Sequence, residues 1–143
     1  MKAAAGEIRG GAFHLPVRVY YEDTDAGGVV FYANYLKYME RARTEWLRAA
    51  GWNQAALAED EQLLFAVRSV SVDYLAPARL DDWLEVEARV GELGRARVDF
   101  EQAVRRDGRD LCTARVRVVC IDATTFRPRG LPAELKEVLA GDD

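Results

Sequence analysis

The second half of the sequence alternates apolar and polar residues with a period of two, which is the pattern of strands that bury one face. The alternation runs through residues 69–74, 84–90, 96–100 and 114–120. Asp107-Gly108 separates the last two segments and is a strong signal for a tight hairpin turn. We therefore expect four strands, joined mainly by tight turns, in an antiparallel sheet whose apolar face another element has to cover.

One long helix is available to cover that face. Apolar residues recur at helical spacing between residues 31 and 50, and Gly51 follows as a C-terminal stop. A β-rich run at 17–21 adds one strand before the helix. The sequence therefore predicts an α+β fold, an antiparallel sheet of about five strands wrapped around one long central helix. Residues 53–61 predict a short helical or irregular piece, and residues 134–139 predict a small terminal helix.

Length and charge limit the class of protein. The chain has 143 residues, so we expect a single domain over 1–143, with a flexible N-terminus at 1–13. No apolar stretch is long enough to span a membrane, and the N-terminus lacks the apolar core of a signal peptide, which predicts a cytoplasmic protein. The formal charge of -4 disfavours nucleic acid as a partner, because binding a phosphate backbone requires a basic surface.

The cysteines and the single histidine argue against a zinc site or a disulfide. Cys112 and Cys120 lie eight residues apart on one predicted strand, too far to bridge each other. With His14 as the only histidine, the chain cannot supply the usual four ligands of zinc. We therefore expect reduced core thiols and no zinc site.

A short acidic segment separates the first predicted strand from the helix. Glu22, Asp23 and Asp25 are followed by the flexible pair Gly27-Gly28. An acid placed just before a helix that begins near Phe31 would lie beside free backbone amides and the positive end of the helix dipole. The same acids could simply cap a turn. They could also bind magnesium or calcium, although strand alternation would turn Glu22 away from the two aspartates.

Residues 20–30 read Tyr-Tyr-Glu-Asp-Thr-Asp-Ala-Gly-Gly-Val-Val, and Phe-Tyr-Ala-Asn-Tyr follows at 31–35. This run resembles the hotdog-fold acyl-CoA thioesterases, most of all the branch associated with the Tol-Pal system. The resemblance continues through Glu-Arg-Ala-Arg-Thr-Glu at 40–45, residues 72–82 and residues 128–132, so it covers nearly the whole chain. It implies a sheet wrapped around the helix, two subunits sharing one continuous sheet, and often a dimer of dimers, hence a homotetramer.

The resemblance also assigns roles to particular residues. Asp25 corresponds to the family's catalytic carboxylate, acting as nucleophile or general base, and the backbone amide of Tyr32 corresponds to its oxyanion donor. The branch commonly has a histidine at position 32, whereas the hydroxybenzoyl-CoA thioesterases share the Phe-Tyr pair, so aromatic and aliphatic acyl groups both remain open. The remaining expected substrate-binding residues are Gly27, Gly28, Val29, Val30, Phe31, Tyr35 and Arg68.

The resemblance predicts a hydrolase that converts acyl-CoA and water into free acid and coenzyme A without a cofactor. Arg68, Arg127 and Arg129 are candidate phosphate contacts by residue type alone. Glu40 is a second-choice carboxylate, because some other hotdog branches place their acid on the long helix. An alternative function is a non-catalytic module that binds acyl-CoA, an acyl carrier or Tol-Pal components. A link to the cell envelope or to phospholipid metabolism rests on analogy.

Overall fold

The computed structural model describes residues 6–140, apart from the side chains of Gln54 and Asp60. This part of the chain contains six strands: β1 (Glu7–Arg9), β2 (Ala12–Arg18), β3 (Leu63–Tyr74), β4 (Trp83–Leu93), β5 (Arg97–Arg106) and β6 (Arg109–Asp122). It also contains three α-helices: α1 (Asn34–Ala49), α2 (Gln54–Glu61) and α3 (Ala133–Leu139). A single 3₁₀ turn spans Tyr21–Asp23.

All six strands form one antiparallel sheet in the order β1-β2-β4-β5-β6-β3. The α+β prediction of a sheet around one long helix is confirmed, with six strands in place of about five. The hairpins joining β4 to β5 and β5 to β6 also match the prediction. One connection is longer than the tight turns expected between most of these strands: β2 and β5 occupy both edges of β4, so β3 pairs with the free edge of β6 and the chain crosses the sheet through residues 75–82.

Helix α1 lies on the inner face of the sheet and forms the centre of the core. Tyr38, Met39 and Ala42 are fully buried at 0% exposure. Trp46 stacks on Phe13 of β2, with ring centroids 6.2 Å apart. The apolar stripe of the helix therefore covers the apolar faces of the strands, as the sequence periodicity requires.

Helix α1 begins at Asn34, three residues later than the sequence pattern predicts. The amide of Val30 donates to the carbonyl of Ala78 at 2.8 Å, and the amide of Phe31 donates to the carbonyl of Asp23 at 3.0 Å. These bonds hold the preceding residues in the loop, so the helix starts only after them. Gly51 follows the helix with a φ of +91°, a conformation that suits glycine.

The N-terminal segment departs from the flexible segment expected at 1–13. From Glu7 onwards it forms the β1–β2 hairpin, turned by Gly10 and Gly11 with φ values of +59° and +76°. Ala12 and Phe13 are fully buried, and this burial explains why the hairpin docks on the sheet. The remaining residues of the predicted flexible segment, 1–5, lie outside the described part of the chain.

The outer face of the sheet carries cross-strand ion pairs. Asp99 is 0% exposed and accepts two hydrogen bonds from the Arg117 guanidinium, at 2.8 and 3.0 Å. These bonds lower the pKa of Asp99 below its ordinary value. Arg115 pairs with Glu101 beside them, and His14 lies 3.1 Å from a carboxylate oxygen of Glu85. The polar residues of the alternating strands thus form a network of ion pairs on the outer face of the sheet.

The two cysteines are free and buried on the inner face. Burial raises the pKa of Cys112 to about 12 and that of Cys120 to about 11, so both thiols stay protonated at neutral pH. Among residues 6–140, no helix is long and apolar enough to cross a membrane.

Candidate functional site

The acidic turn, residues 20–30, connects β2 to α1. Asp23 ends its 3₁₀ turn, and one carboxylate oxygen accepts a hydrogen bond from the amide of Tyr20 at 2.9 Å. The amide of Asp23 donates back to the carbonyl of Tyr20 at 3.0 Å. The expectation that strand alternation sets the direction of Glu22 is wrong, because residues 21–23 form a helical turn and no strand. Glu22 is exposed on this turn.

Asn34, the first residue of α1, ties the acidic turn to the helix. It is buried, with 9% of its surface exposed, and its side-chain amide donates to the second carboxylate oxygen of Asp23 at 2.8 Å. Both carboxylate oxygens of Asp23 are therefore used in holding the turn. Sequence analysis missed Asn34. The available signal was a hydrogen-bonding side chain at the start of the helix, eleven residues after Asp23.

Asp25 differs from Asp23 in being exposed and loosely held. One carboxylate oxygen, Oδ1, accepts a hydrogen bond from the amide of Gly27 at 2.9 Å. No donor among the described residues reaches Oδ2. The backbone of Asp25 is fixed more firmly, since its amide donates to Val29 at 2.9 Å and its carbonyl accepts from Gly28 at 3.0 Å. Gly28 closes this turn with a φ of +80°, and a Cβ on Gly27 would lie 3.3 Å from Oδ1.

The segment before β4 supports the acidic turn from behind. Val29 forms a β-bridge with Arg79, and the amide of Val30 donates to Ala78 at 2.8 Å. The amide of Ala78 in turn donates to the hydroxyl of Tyr35 at 2.9 Å. Val30 and Tyr35 are 5% and 3% exposed, and burial raises the pKa of the Tyr35 hydroxyl. These two predicted substrate-binding residues therefore act, within one chain, as supports of the turn.

Three aromatic rings surround the entry to α1. Tyr32 lies 4.9 Å from Phe31 and 6.0 Å from Tyr74 of β3, measured between ring centroids. Phe31, Tyr32 and Tyr74 are 46%, 62% and 43% exposed. The amide of Tyr32 donates none of the backbone hydrogen bonds found outside the helices and strands of residues 6–140. An exposed apolar surface and an available N–H thus lie at the end of the helix nearest Asp25 in sequence.

The other candidate carboxylates lie in grooves on different sides of α1. A groove of 680 Å³ runs between β2 and α1 and includes Glu22 and Asp23, but Asp25 does not line it. Glu40 faces a separate groove of 300 Å³ between α1 and β3, together with Lys37 and Arg43. Asp25 therefore lies on a surface turn that neither of these two grooves encloses.

The three candidate arginines have different environments. Arg129 donates to the carbonyls of Glu61 and Gln62 at the end of α2, so it caps that helix. Arg127 is exposed on the loop after β6. Arg68 lies on the outer face of the sheet, in a groove of 420 Å³ with two other arginines.

The acidic turn has the parts that hydrolysis of an activated ester requires. Asp25 offers a carboxylate with a free oxygen, able to attack a carbonyl or to orient water. The Tyr32 amide lies in the loop that follows, and the positive end of α1 comes next at Asn34; both would stabilise developing negative charge. Within the described part of the chain, no three potential ligands form a metal-binding group.

Comparisons with known proteins show which family the chain resembles. Residues 27–113 match the family model described as the thioesterase superfamily. The acyl-CoA thioesterase YbgC of Haemophilus influenzae is 48% identical over 124 residues, covering 87% of this chain and 91% of that protein. A 1,4-dihydroxy-2-naphthoyl-CoA hydrolase of Nostoc punctiforme is 31% identical, covering 85% and 82%. The crystal structure of a probable thioesterase from Bartonella henselae aligns with a TM-score of 0.79 and 37% identity, covering 83% and 98%.

Proposed function

This chain belongs to the thioesterase superfamily and is a thioester hydrolase; we propose that it acts on acyl-CoA with Asp25 as its catalytic carboxylate. The observation that carries the proposal is the contrast within the acidic turn: Asp23 uses both carboxylate oxygens for structure, whereas Asp25 has an oxygen without a protein donor. A carboxylate that acts as nucleophile or general base needs an oxygen that is free to contact the substrate or water.

In the proposed reaction the thioester carbonyl lies against Asp25 and the Tyr32 amide. Asp25 acts as nucleophile or as general base, and the amide stabilises the charge on the carbonyl oxygen. When Asp25 acts as general base, the oxygen of water bonds to the acyl carbon, the carbon–sulfur bond breaks, and the proton taken from water passes to the departing thiolate. When Asp25 acts as nucleophile, its oxygen displaces the thiolate to give an acyl-aspartate anhydride, and water then cleaves that anhydride, giving one proton to the thiolate and freeing Asp25. The products are the free acid and coenzyme A, and the step needs no oxidant or reductant.

The acyl group would lie near Gly27, Gly28, Val29 and the exposed rings of Phe31 and Tyr32. The exposed rings favour an acyl group that can pack against aromatic surfaces. The relatives include proteins named for an acyl-CoA and for an aromatic acyl-CoA, and both kinds of substrate therefore belong in the test.

We also propose that two copies complete the site. The outer edge of β3 pairs with no strand among the described residues, and Val67 and Val70 are 50% and 41% exposed beside it. Pairing of two such edges would extend the sheet across both subunits and cover this apolar surface. A dimer or a dimer of dimers is therefore expected in light scattering after gel filtration. A cytoplasmic location and a link to the Tol-Pal envelope system stay predictions of the resemblance.

The deciding experiment is thiol release from a short-chain, a long-chain and a hydroxybenzoyl-CoA. The parent should hydrolyse at least one of them, and Asp25→Asn should lose at least about a hundredfold in kcat, the size expected for a catalytic acid–base group. Glu22→Gln removes an exposed carboxylate from the same turn and should keep activity within about twofold of the parent. Binding of acyl-CoA without hydrolysis by the parent, or full activity of Asp25→Asn, would contradict the proposal.

A further inference from the structure

The crossover segment, residues 75–82, is joined to Asp25 through one intervening residue. Val29 forms a β-bridge with Arg79 of this segment. The carbonyl of Val29 also accepts a hydrogen bond from the amide of Asp25 at 2.9 Å. A displacement of Arg79 is therefore passed to the backbone of the carboxylate that we propose as the catalytic one.

The crossover segment holds the acidic turn at its other end as well. Val19, the residue directly before the turn, exchanges two backbone hydrogen bonds with this segment. Its amide donates to the carbonyl of Asp82 at 2.9 Å, and its carbonyl accepts from the amide of Asp81 at 3.0 Å. Both ends of the acidic turn thus depend on where residues 79–82 lie.

The carboxylate of Asp82 fixes these residues to the sheet. Its Oδ2 accepts a hydrogen bond from the amide of Arg79 at 2.8 Å and another from the Arg106 guanidinium of β5 at 2.6 Å. The side chains of Arg106 and Asp82 are only 28% and 22% exposed, so solvent screens this ion pair less than an exposed one. Charge-assisted hydrogen bonds of this length belong to the stronger class.

The backbone beside Asp82 needs such an anchor. Asp81 has a φ of +71°, in the left-handed region that residues other than glycine adopt at a cost in free energy. A conformation of this kind persists only where the surrounding contacts hold it. Loss of the Asp82 carboxylate would remove the contacts next to this residue and let the segment relax.

We propose that Asp82, held by Arg106, is a positioning residue for thioester hydrolysis, acting through the crossover segment on Asp25. The inference rests on the catalytic role proposed for Asp25. Among the described residues, the amide of Gly27 alone binds the Asp25 side chain, so the placement of that side chain depends on its backbone. A misplacement of about 1 Å costs an enzyme about a hundredfold in rate, so the anchor of this backbone affects kcat.

A double-mutant cycle between Asp82 and Asp25 tests this role, with hydrolysis of the parent's preferred acyl-CoA as the measurement. Asp82→Ala should lower kcat about tenfold and keep KM within about twofold of the parent. In the Asp25→Asn background the same change should leave the residual rate unaltered, because the group that Asp82 positions is no longer catalytic. Arg106→Ala breaks the ion pair from its other side and should show the same direction and the same dependence on Asp25, which keeps the test available if Asp82→Ala does not fold.

Two further variants separate positioning from a general loss of stability. Asp82→Asn keeps an oxygen for the Arg79 amide and should recover part of the kcat lost in Asp82→Ala. Asp110→Ala is the matched control, because Asp110 binds Arg105, the neighbour of Arg106 in β5, at the same distance of 2.6 Å. It should keep kcat within about twofold of the parent.

Hydrogen exchange measures the acidic turn without turnover. The amides of Asp25, Gly28 and Val30 donate backbone hydrogen bonds at 2.9, 3.0 and 2.8 Å. In Asp82→Ala these three amides should exchange about tenfold faster, whereas amides in the middle of α1 should keep the parent rates.

Several results would overturn the positioning role of Asp82. These are an unchanged kcat in Asp82→Ala, with or without faster exchange, and an equal loss of rate in the parent and Asp25→Asn backgrounds. If Asp25→Asn loses activity and Asp82→Ala does not, the positioning role fails and the proposed function stands. Full activity of Asp25→Asn, or a parent without hydrolysis, would refute the proposed function and the positioning role with it.

Discussion

Asp99 on the outer face of the sheet and Asp25 in the acidic turn both accept hydrogen bonds, but the fold satisfies the first carboxylate completely and the second only in part. Asp99 is completely buried, and the Arg117 guanidinium binds both of its oxygens. Asp25 is exposed and accepts one hydrogen bond, from the amide of Gly27. The difference separates two uses of a carboxylate: one that is fully paired stabilises the fold, and one with a free oxygen remains available for chemistry.

Asp23 extends the comparison into the acidic turn itself. It lies two residues from Asp25, yet its two oxygens are bound by Tyr20 and Asn34, as the oxygens of Asp99 are bound by Arg117. Sequence distance therefore does not decide which carboxylate is structural. A carboxylate is structural when the fold directs hydrogen-bond donors at both of its oxygens.

The largest expected effect on stability comes from breaking the ion pair on the outer face. Arg117→Ala leaves the buried carboxylate of Asp99 without its two hydrogen bonds from a guanidinium, and Arg97, at 3.9 Å, remains as a more distant ion-pair partner. Removing the cation from this carboxylate should lower the free energy of unfolding by more than breaking an exposed pair does, measured by urea denaturation. The pair of Arg115 and Glu101 is exposed, so Arg115→Ala should cost less than about 1 kcal/mol. Equal losses in the two variants would show that burial of Asp99 does not matter.

A smaller effect is expected from loosening the acidic turn. Asn34→Ala removes the donor to Asp23 Oδ1 and should lower kcat about tenfold with little change in KM, because Asp25 is then less well positioned. Stability should fall by about 1 kcal/mol. Asn53→Ala is a matched control, since Asn53 caps α2 through the amide of Ala56 at 3.1 Å and should cost similar stability without loss of kcat. The same loss of kcat in both variants would show that the effect of Asn34→Ala comes from reduced stability and not from the position of Asp25.

The smallest effect is a change in the acid dependence of stability. The pKa of Asp99 is lowered in the fold, chiefly by the Arg117 hydrogen bonds, so the unfolded chain takes up its proton first as pH falls. The stabilisation by Asp99 is complete above the unfolded pKa of about 4 and is lost as pH drops through the lower folded value. Asp99→Asn should therefore flatten the fall in unfolding free energy below about pH 4, by at most about 1.4 kcal/mol per pH unit. If the unfolding free energy of Asp99→Asn fell with pH as steeply as that of the parent, the lowered pKa of Asp99 would not contribute to acid sensitivity.

The sequence predicted the parts of the fold that depend on local periodicity. The long helix, the strands from β3 to β6 and the hairpin at Asp107-Gly108 follow from spacing and turn chemistry, and the structure agrees with them. It did not predict that β3 pairs with β6, because pairing across the sheet depends on which edges other strands have already occupied. The N-terminal hairpin was missed because its strand β1 is only three residues long and all three residues are exposed, so the strand has no alternation of buried and exposed positions.

The candidate site divides in the same way. Asp25, Gly27 and Gly28 could be singled out because an acid followed by two glycines is a local pattern. Asn34 gave only a weak local signal, a hydrogen-bonding side chain at the start of the helix, and its role depends on a contact with Asp23 across the loop. Val30 and Tyr35 were expected to bind substrate, and in one chain they support the turn through Ala78, more than forty residues away in sequence.

The sequence by itself determined which residues face the core, where the helix and most strands run, and which short segment carries the acids, because these follow from periods of 3.6 and 2 and from the chemistry of turns. The tertiary structure alone decided which carboxylates are satisfied and which is free. It also joined Asp82 to Arg106 of β5 behind the acidic turn. Such a contact depends on strand order and register, neither of which leaves a periodic trace in the chain.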